Sequence, residues 1–375
     1  MAQYWDKRAV DVEQLIQSKT DQTVIKVNRL FNSVFKKIDK QILDTFETYK
    51  TNANLSDSEA LQLLNVKETR EYYEALKVLY EETKDSDTKQ EILNRLNAPA
   101  YSSRIARLEA LRDFVYCQAL SVGWQTEKEL QRRMIDAFKT SFYQEHYTIQ
   151  KGTGLAYDFS KLENPIVRKA IETEWKGANY SERIWKNTHE LAENLEQILT
   201  AGLMAGISGK KMADELAKAM NTGRYNANRV IRTEVNWCAG QARLEAYKDA
   251  EIRKYMFVAT LDLRTSTICR ELDGKIFLVK DARVGVNFPP MHPHCRSVDT
   301  AYVEGKDYSR MKRASRNPIT GETEYVPKNM TYKEWYKKYV EPSEKARANE
   351  KAVKRGLLKP YKYTDEEIKE YLKQK

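Results

Sequence analysis

Cys269, His292 and Cys295 are the residues of this chain best suited to chemistry, and they fall within one short segment, Asp262–Arg296. It reads D-L-R-T-S-T-I-C-R-E-L-D-G, then a variable loop, then P-P-M-H-P-H-C-R. Two of the chain's four cysteines and two of its four histidines lie here. Thiolate sulfur and imidazole nitrogen are soft ligands that suit tetrahedral zinc. The H-x-x-C spacing lets His292 and Cys295 reach one ion from a turn, Cys269 supplies a third ligand, and His294 or Asp262 a fourth. The cofactor this implies is structural zinc. No paired C-x-x-C is present, so the same residues also read as small buried thiols with packed, hydrogen-bonded imidazoles. A cysteine nucleophile would need an electropositive, partly exposed pocket, which a sequence does not display. The H-x-E and P-C-x-x-C pattern of zinc deaminases is absent.

The elements that position this segment are mainly helical. Glycine (14) and proline (9) are few in 375 residues, hydrophobic residues make up 41% and charged residues 31%, a soluble, helix-favouring composition. The 23 tyrosines suit a protein with many half-buried contact surfaces. Leu15, Val24, Val27, Leu30, Phe31, Val34, Ile38, Ile42, Leu43 and Phe46 recur at helical spacing, so the first ~50 residues read as one amphipathic helix. Ser56 or Asp57 can cap the next, and helical patterns follow to Asn97. Gly123 is expected to divide a helix at Arg104–Val122 from one running to about Tyr147. YTIQ-KGTG-LAYDF alternates around a glycine turn and predicts a β-hairpin near 147–159; K-G-T-G lacks P-loop spacing. A helix at Pro165–Trp175 closes a helical region, 1–179.

A second unit is expected over 180–305. It has helices at Ser181–Met204, Lys210–Met220 and Tyr225–Asp249, with Gly223 between the last two. Ile231, Val235, Cys238 and Ala242 form the inward stripe of the last helix, and Arg229, Arg232, Asn236 and Arg243 lie on or near its polar face. Tyr255–Thr260 and Ser297–Tyr302 are β-prone. The fold class is therefore mostly α with a small α+β domain: long N-terminal helices, then a compact C-terminal half with a short antiparallel sheet. Asp262, Arg264 and Thr265 read as a structural cap and ion-pair loop, with Arg232 and Glu234 as partners from the preceding helix.

Residues 306–375 read as an extended basic tail, with short helices at Tyr332–Val340 and Thr364–Gln374. From Gly305 onward 19 lysines and arginines face 11 acidic residues, and these supply most of the net charge of +10. Tyr308, Tyr325, Tyr332, Trp335, Tyr336, Tyr339, Tyr361, Tyr363 and Tyr371 interleave with the cations. Such a tail fits sequence-independent contact with double-stranded DNA, through Lys312, Arg313, Arg316, Lys337, Lys338, Lys354 and Arg355. It fits an acidic protein surface equally. No segment is long and apolar enough to span a membrane, and MAQYWDKRAV does not read as a secretory signal. The scattered cysteines indicate a reducing compartment.

R-T-E-V-N at Arg232–Asn236, D-x-R-T at Asp262–Thr265, C-x-x-L-D-G at Cys269–Gly274 and P-P-x-H-P-x-C-R at Pro289–Arg296 occur in that order. This set resembles the Mu F-like phage minor head protein family, also called the phage head morphogenesis family, over roughly Tyr180–Tyr302. The opening Y-W-D-K-R-A is similar to the start of many members. The resemblance implies structural roles for Arg232, Glu234, Asp262, Arg264, Gly274 and Pro290. It further implies a non-enzymatic virion protein that is made in the host cytoplasm, joins the portal protein and other capsid components in the procapsid, sits in the capsid interior near the portal, and takes part in DNA packaging or ejection. Family members often read C-R-C where this chain has Cys295-Arg296-Ser297. The alternatives are a metal-dependent enzyme centred on Cys269, His292 and Cys295, and a free nucleic-acid-binding protein.

Overall fold

A computed structural model describes residues 2–51, 75–83, 85–96, 107–154, 156–159, 161–204, 209–305 and 311–355. The expected caps at Ser56 and Asp57, the helix Thr364–Gln374, and Tyr308, Tyr361, Tyr363 and Tyr371 lie outside the described residues. The helices are α1 (Ala2–Thr51), α2 (Ser86–Leu96), α3 (Arg107–Thr153), α4 (Asn164–Glu172), α5 (Tyr180–Met204) and α6 (Gly209–Asp249), with a further helical segment at 75–82. Then follow β1 (Lys254–Val258), α7 (Thr267–Leu272), β2 (Ile276–Leu278), β3 (Val298–Tyr302), β4 (Lys312–Arg316), β5 (Thr323–Pro327), α8 (Tyr332–Tyr339) and α9 (Glu344–Lys354). The chain is mostly helical with a small antiparallel sheet in its C-terminal half, as the composition and spacing imply.

Two compact units divide the chain, and α1, α3 and α6 each contribute to both. The first is helical and comprises residues 18–136 and 163–235. Its core takes Val27, Phe31 and Ile38 from α1, Leu130 and Met134 from α3, and Ile184, Trp185 and Leu195 from α5, all buried. Most of the apolar stripe read from the sequence of α1 is thus internal, although Leu43 stays exposed.

Two glycines expected to break helices do not. Gly123 lies inside α3 and Gly223 inside α6. A Cβ on Gly123 would fall 2.5 Å from Thr188 Cγ2 and 3.0 Å from Thr188 Cβ; one on Gly223 would fall 2.8 Å from Leu191 Cδ2. Both glycines let α5 approach closely. Thr188 is stiff at its branched Cβ and donates to Ile184 O at 2.8 Å, so it has no easy retreat. Gly123→Ala gains about 1 kcal/mol of helix propensity but overpacks the contact, which costs about 1–3 kcal/mol. Urea unfolding should therefore show net destabilisation, and Thr188→Ala in the same chain should reverse it. A Gly123→Ala variant more stable than the parent would refute the close-approach reading.

The second unit comprises residues 1–17, 137–162 and 236–375. Its sheet has order β2-β1-β3, all antiparallel, with Tyr255 opposite Phe277 and Ala301, and Phe257 opposite Asp299. Tyr255, Met256 and Phe257 are consecutive and all buried, so this central strand is covered on both faces.

The hairpin expected near 147–159 is absent. Helical burial continues through Phe142, His146 and Ile149, and α3 runs to Thr153. Gly154, at φ +74°, reverses the chain, and residues 156–159 lie back along α3 without strand pairing. The alternation that mimics a strand is this clasp. His146 stacks on Phe159 at 4.0 Å and its Nδ1 pairs with Tyr157 Oη at 2.9 Å, while Gln150 Nε2 donates to Tyr157 O at 2.6 Å.

Residues 312–354, expected as part of an extended tail, are built into this unit. β4 and β5 form a hairpin with Arg313 opposite Val326, and Arg316 N donates to Leu261 O at 2.8 Å. α8 starts with a capping box, Thr331 with Glu334, as the T-x-x-E spacing allows. Tyr332, Trp335, Val340 and Ala346 pack with Leu261 and Val326 in one buried cluster. Tyr332 and Trp335 are core residues, so neither is placed to stack on a nucleic-acid base.

Candidate metal centre

The Cys/His segment is held from three directions. β1 delivers the chain to Asp262, which accepts from the Arg264 amide at 2.9 Å and from Thr265 Oγ1 at 3.0 Å. Its carboxylate also takes both Nη atoms of Arg296, one of them at 3.0 Å. Burial pushes the Asp262 carboxyl up, but Arg296 and the hydrogen bonds outweigh it and hold it below the usual range. From α6, Asn236 Nδ2 donates to Cys295 O at 2.7 Å and to Ser297 O at 3.2 Å. One turn on, Gly240 admits the ring of Phe288; a Cβ there would lie 2.9 Å from Phe288 Cε1. The Pro289–Pro290 peptide is cis and leads into Met291 and His292.

Cys269 on α7 and Cys295 on the loop then meet beneath β1, in a buried cluster with Phe257, Ala259 and Met291. Their sulfurs are 3.8 Å apart, and His292 Nε2 stands 3.4 Å from Cys269 Sγ. His292 Nδ1 is 2.8 Å from Pro293 O, which fits a proton on Nδ1 and leaves the Nε2 lone pair facing the thiols. Ser266 Oγ is 2.8 Å from the same Nε2. The hydrogen bond from Cys295 favours the Cys269 thiolate and, against burial, brings its pKa to about 6. Cys295, donating that bond from a buried position, is pushed up.

Among the described residues the three ligands that come together are Cys269, His292 and Cys295, with all ligand atoms within 4.8 Å. Asp262 and His294 do not join them. Asp262 is committed to Arg296, and His294 occupies a left-handed backbone position at φ +59°.

The expected ion pairs of the Asp262 loop with Arg232 and Glu234 are replaced by others. Arg232 pairs with Asp21 at 2.5 Å. Glu234 is buried and accepts from Arg183 Nη1 at 2.7 Å and Trp175 Nε1 at 2.9 Å. Burial nevertheless raises the Glu234 pKa. Arg243, read as polar-face, is buried and bonded to Asp299 through Nε at 2.9 Å.

The C-x-x-L-D-G motif has a second purpose. Asp273 accepts from Ala259 N at 2.6 Å, Tyr332 N at 2.6 Å and both Nη atoms of Arg313, at 3.1 and 3.0 Å. Gly274 turns the chain at φ +77°, with Thr331 Cγ2 3.1 Å from where a Cβ would stand. Arg313, expected at a nucleic-acid surface, is a buried partner of Asp273. A lone arginine in a basic stretch carries no sign of that; its place opposite a buried strand residue would have been the clue. Lys312, Lys337, Lys338, Lys354 and Arg355 are exposed, and Arg316 is half-buried with Nη1 donating to Gly321 O at 3.3 Å. Lys354 also pairs with Glu350 at 3.2 Å.

A helical chain carrying a compact Cys/His-bearing α+β unit, tied to its last long helix by asparagine and arginine, is the class these features define. Residues 193–300 match the family described as Phage Mu protein F like protein. The chain is 26% identical over 247 residues to the Minor head protein GP7 of Bacillus phage SPP1, a match that covers 62% of this chain and 78% of that protein. It is also 24% identical over 179 residues to an NAD(+)--arginine ADP-ribosyltransferase EFV of Enterococcus faecalis (strain ATCC 700802 / V583), covering 45% of this chain and 37% of that protein. No solved structure matches significantly. The family match and the similarity to the minor head protein support a role in phage head morphogenesis. Among the described residues no helix is long and apolar enough to cross a membrane.

Proposed function

We propose that this protein is a non-enzymatic minor head protein, made in the host cytoplasm and built into the procapsid beside the portal, where it faces the capsid interior and contacts packaged DNA without reading its sequence. The observation that carries this reading is the similarity to a phage minor head protein over 78% of that protein's length. The DNA contact is supported by the exposed cations Lys312, Lys337, Lys338, Lys354 and Arg355. Arg316 can join them only in part, and Arg313 is not in the set. The partial match to the transferase favours an enzyme less, because it leaves most of that longer protein unmatched.

Purified procapsids and virions decide the first part. The protein should be present in both and should co-purify with portal protein. Its absence from both would eliminate the reading. For DNA, affinity should be equal for unrelated duplexes and fall steeply with salt. The triple variant Lys337→Glu, Lys338→Glu, Lys354→Glu should flatten the slope of log affinity against log salt by about 2–3. An unchanged slope removes DNA from the list of partners of this surface.

A further inference from the structure

We propose that Cys269, His292 and Cys295 bind one zinc ion, which pins the loop bearing His292 and Cys295 to α7. The inference is independent of the assembly role above. Zinc bonds of about 2.3 Å to sulfur and about 2.0 Å to nitrogen, at tetrahedral angles, require ligand separations of about 3.8 Å between sulfurs and about 3.5 Å between sulfur and nitrogen. The protein holds Cys269 and Cys295 sulfurs at 3.8 Å and Cys269 Sγ to His292 Nε2 at 3.4 Å. Those are two edges of the coordination tetrahedron, already set. The imidazole is aimed by its other nitrogen toward the Pro293 carbonyl, the outer-shell arrangement that fixes a ligating tautomer.

The donor set also suits the charge. Zinc binding releases to solvent whatever thiol protons the two cysteines still carry and leaves a neutral unit of one dication and two thiolates, with no change of oxidation state. Burial in an apolar cluster with Phe257, Ala259 and Met291 favours such a neutral unit over separate charges. His292 is half-exposed, so the ion has a path in. Among the described residues no further Cys, His or carboxylate joins these three at the fourth vertex; Ser266 Oγ lies 2.8 Å from His292 Nε2, and that hydroxyl or a water completes the shell.

Cobalt(II) is the probe. Full-length protein, purified reduced and stripped with a chelator, should on titration with CoCl2 develop sulfur-to-cobalt charge-transfer absorption and tetrahedral d–d bands. These should saturate at about one equivalent and vanish on adding ZnCl2. Cys269→Ser and Cys295→Ser should each lose much of the charge-transfer band. His292→Ala should weaken binding by more than the roughly 10–100-fold typical of outer-shell changes. Cys117→Ser, at a buried cysteine of the other unit, should bind as the parent does. Circular dichroism checks that each variant is folded; if the site variants are not, the parent's spectrum alone decides. No charge-transfer band with both thiols reduced, or a Cys269–Cys295 disulfide in freshly purified protein, would overturn the proposal.

Discussion

Asp273→Asn is expected to lower the free energy of unfolding by about 3–5 kcal/mol, a large share of the roughly 5–15 kcal/mol that holds a typical domain. The native carboxylate takes four donors, from Ala259 N, Tyr332 N and two nitrogens of Arg313. Its side chain is fully buried and that of Arg313 is 8% exposed. Asparagine offers one acceptor oxygen, and its amide would point N–H at N–H. The charge of Arg313 would then lie in the core without a counter-charge. The pair itself contributes little net stability because both ions were taken out of water; breaking half of it is what costs. Urea unfolding should show a lower midpoint with the slope kept. Replacing both residues with apolar ones, Asp273→Leu with Arg313→Met, should recover part of the loss. A single variant within about 0.5 kcal/mol of the parent, the range of neutral surface changes, would show that the pair is dispensable.

Arg243→Met is the second large effect, and it carries a pH signature. Arg243 bonds Asp299, which also accepts from Tyr247 Oη at 2.8 Å, and its charge offsets that of the buried Glu145. Burial, with Asp299 adding to it and Arg243 opposing it, raises Glu145 to about 7 from an ordinary 4.5. A carboxyl raised on folding stabilises the fold while protonated. That contribution is complete below the unfolded value and is lost as pH rises through the folded one. Removing Arg243 leaves two carboxylates facing each other without their cation, at a cost of about 3–5 kcal/mol near neutral pH. The deficit should shrink as pH falls from 8 toward 5, because Glu145 takes up its proton, and Glu145→Gln in the same background should abolish much of that pH dependence. A deficit equal at pH 5 and pH 8 would count against this account.

Sequence carried the helices with long, uninterrupted periodicity, and the strands rich in Tyr, Phe and Val. α5, β1 and β3 fall within a residue or three of their expected places. Proline marked the first turn of α4, and the aromatic helix expected at Tyr332–Val340 is α8. Gly123 and Gly223 misled because a glycine looks the same whether it ends a helix or lets a neighbour close in; Thr188 and Leu191 decide which. Cys269, His292 and Cys295 were legible as a set, since scarce residue types crowded one segment. Their fourth partner was not, because Asp262 looks equally fit for a metal or an arginine until Arg296 is seen beside it. Arg243 and Arg313 were misjudged for one reason: sequence counts charge and does not show which charges a fold encloses.

The Asp273 junction bears on where this polypeptide can be shortened. Cutting it near Gly305 looks like trimming an appendage, but it would remove Arg313 and the amide of Tyr332 from a carboxylate left behind in the core, along with Val326 and Trp335 from the side of Leu261. A recombinant fragment ending there should misfold and collect in inclusion bodies, whereas one ending after Arg355 keeps every described element of this unit.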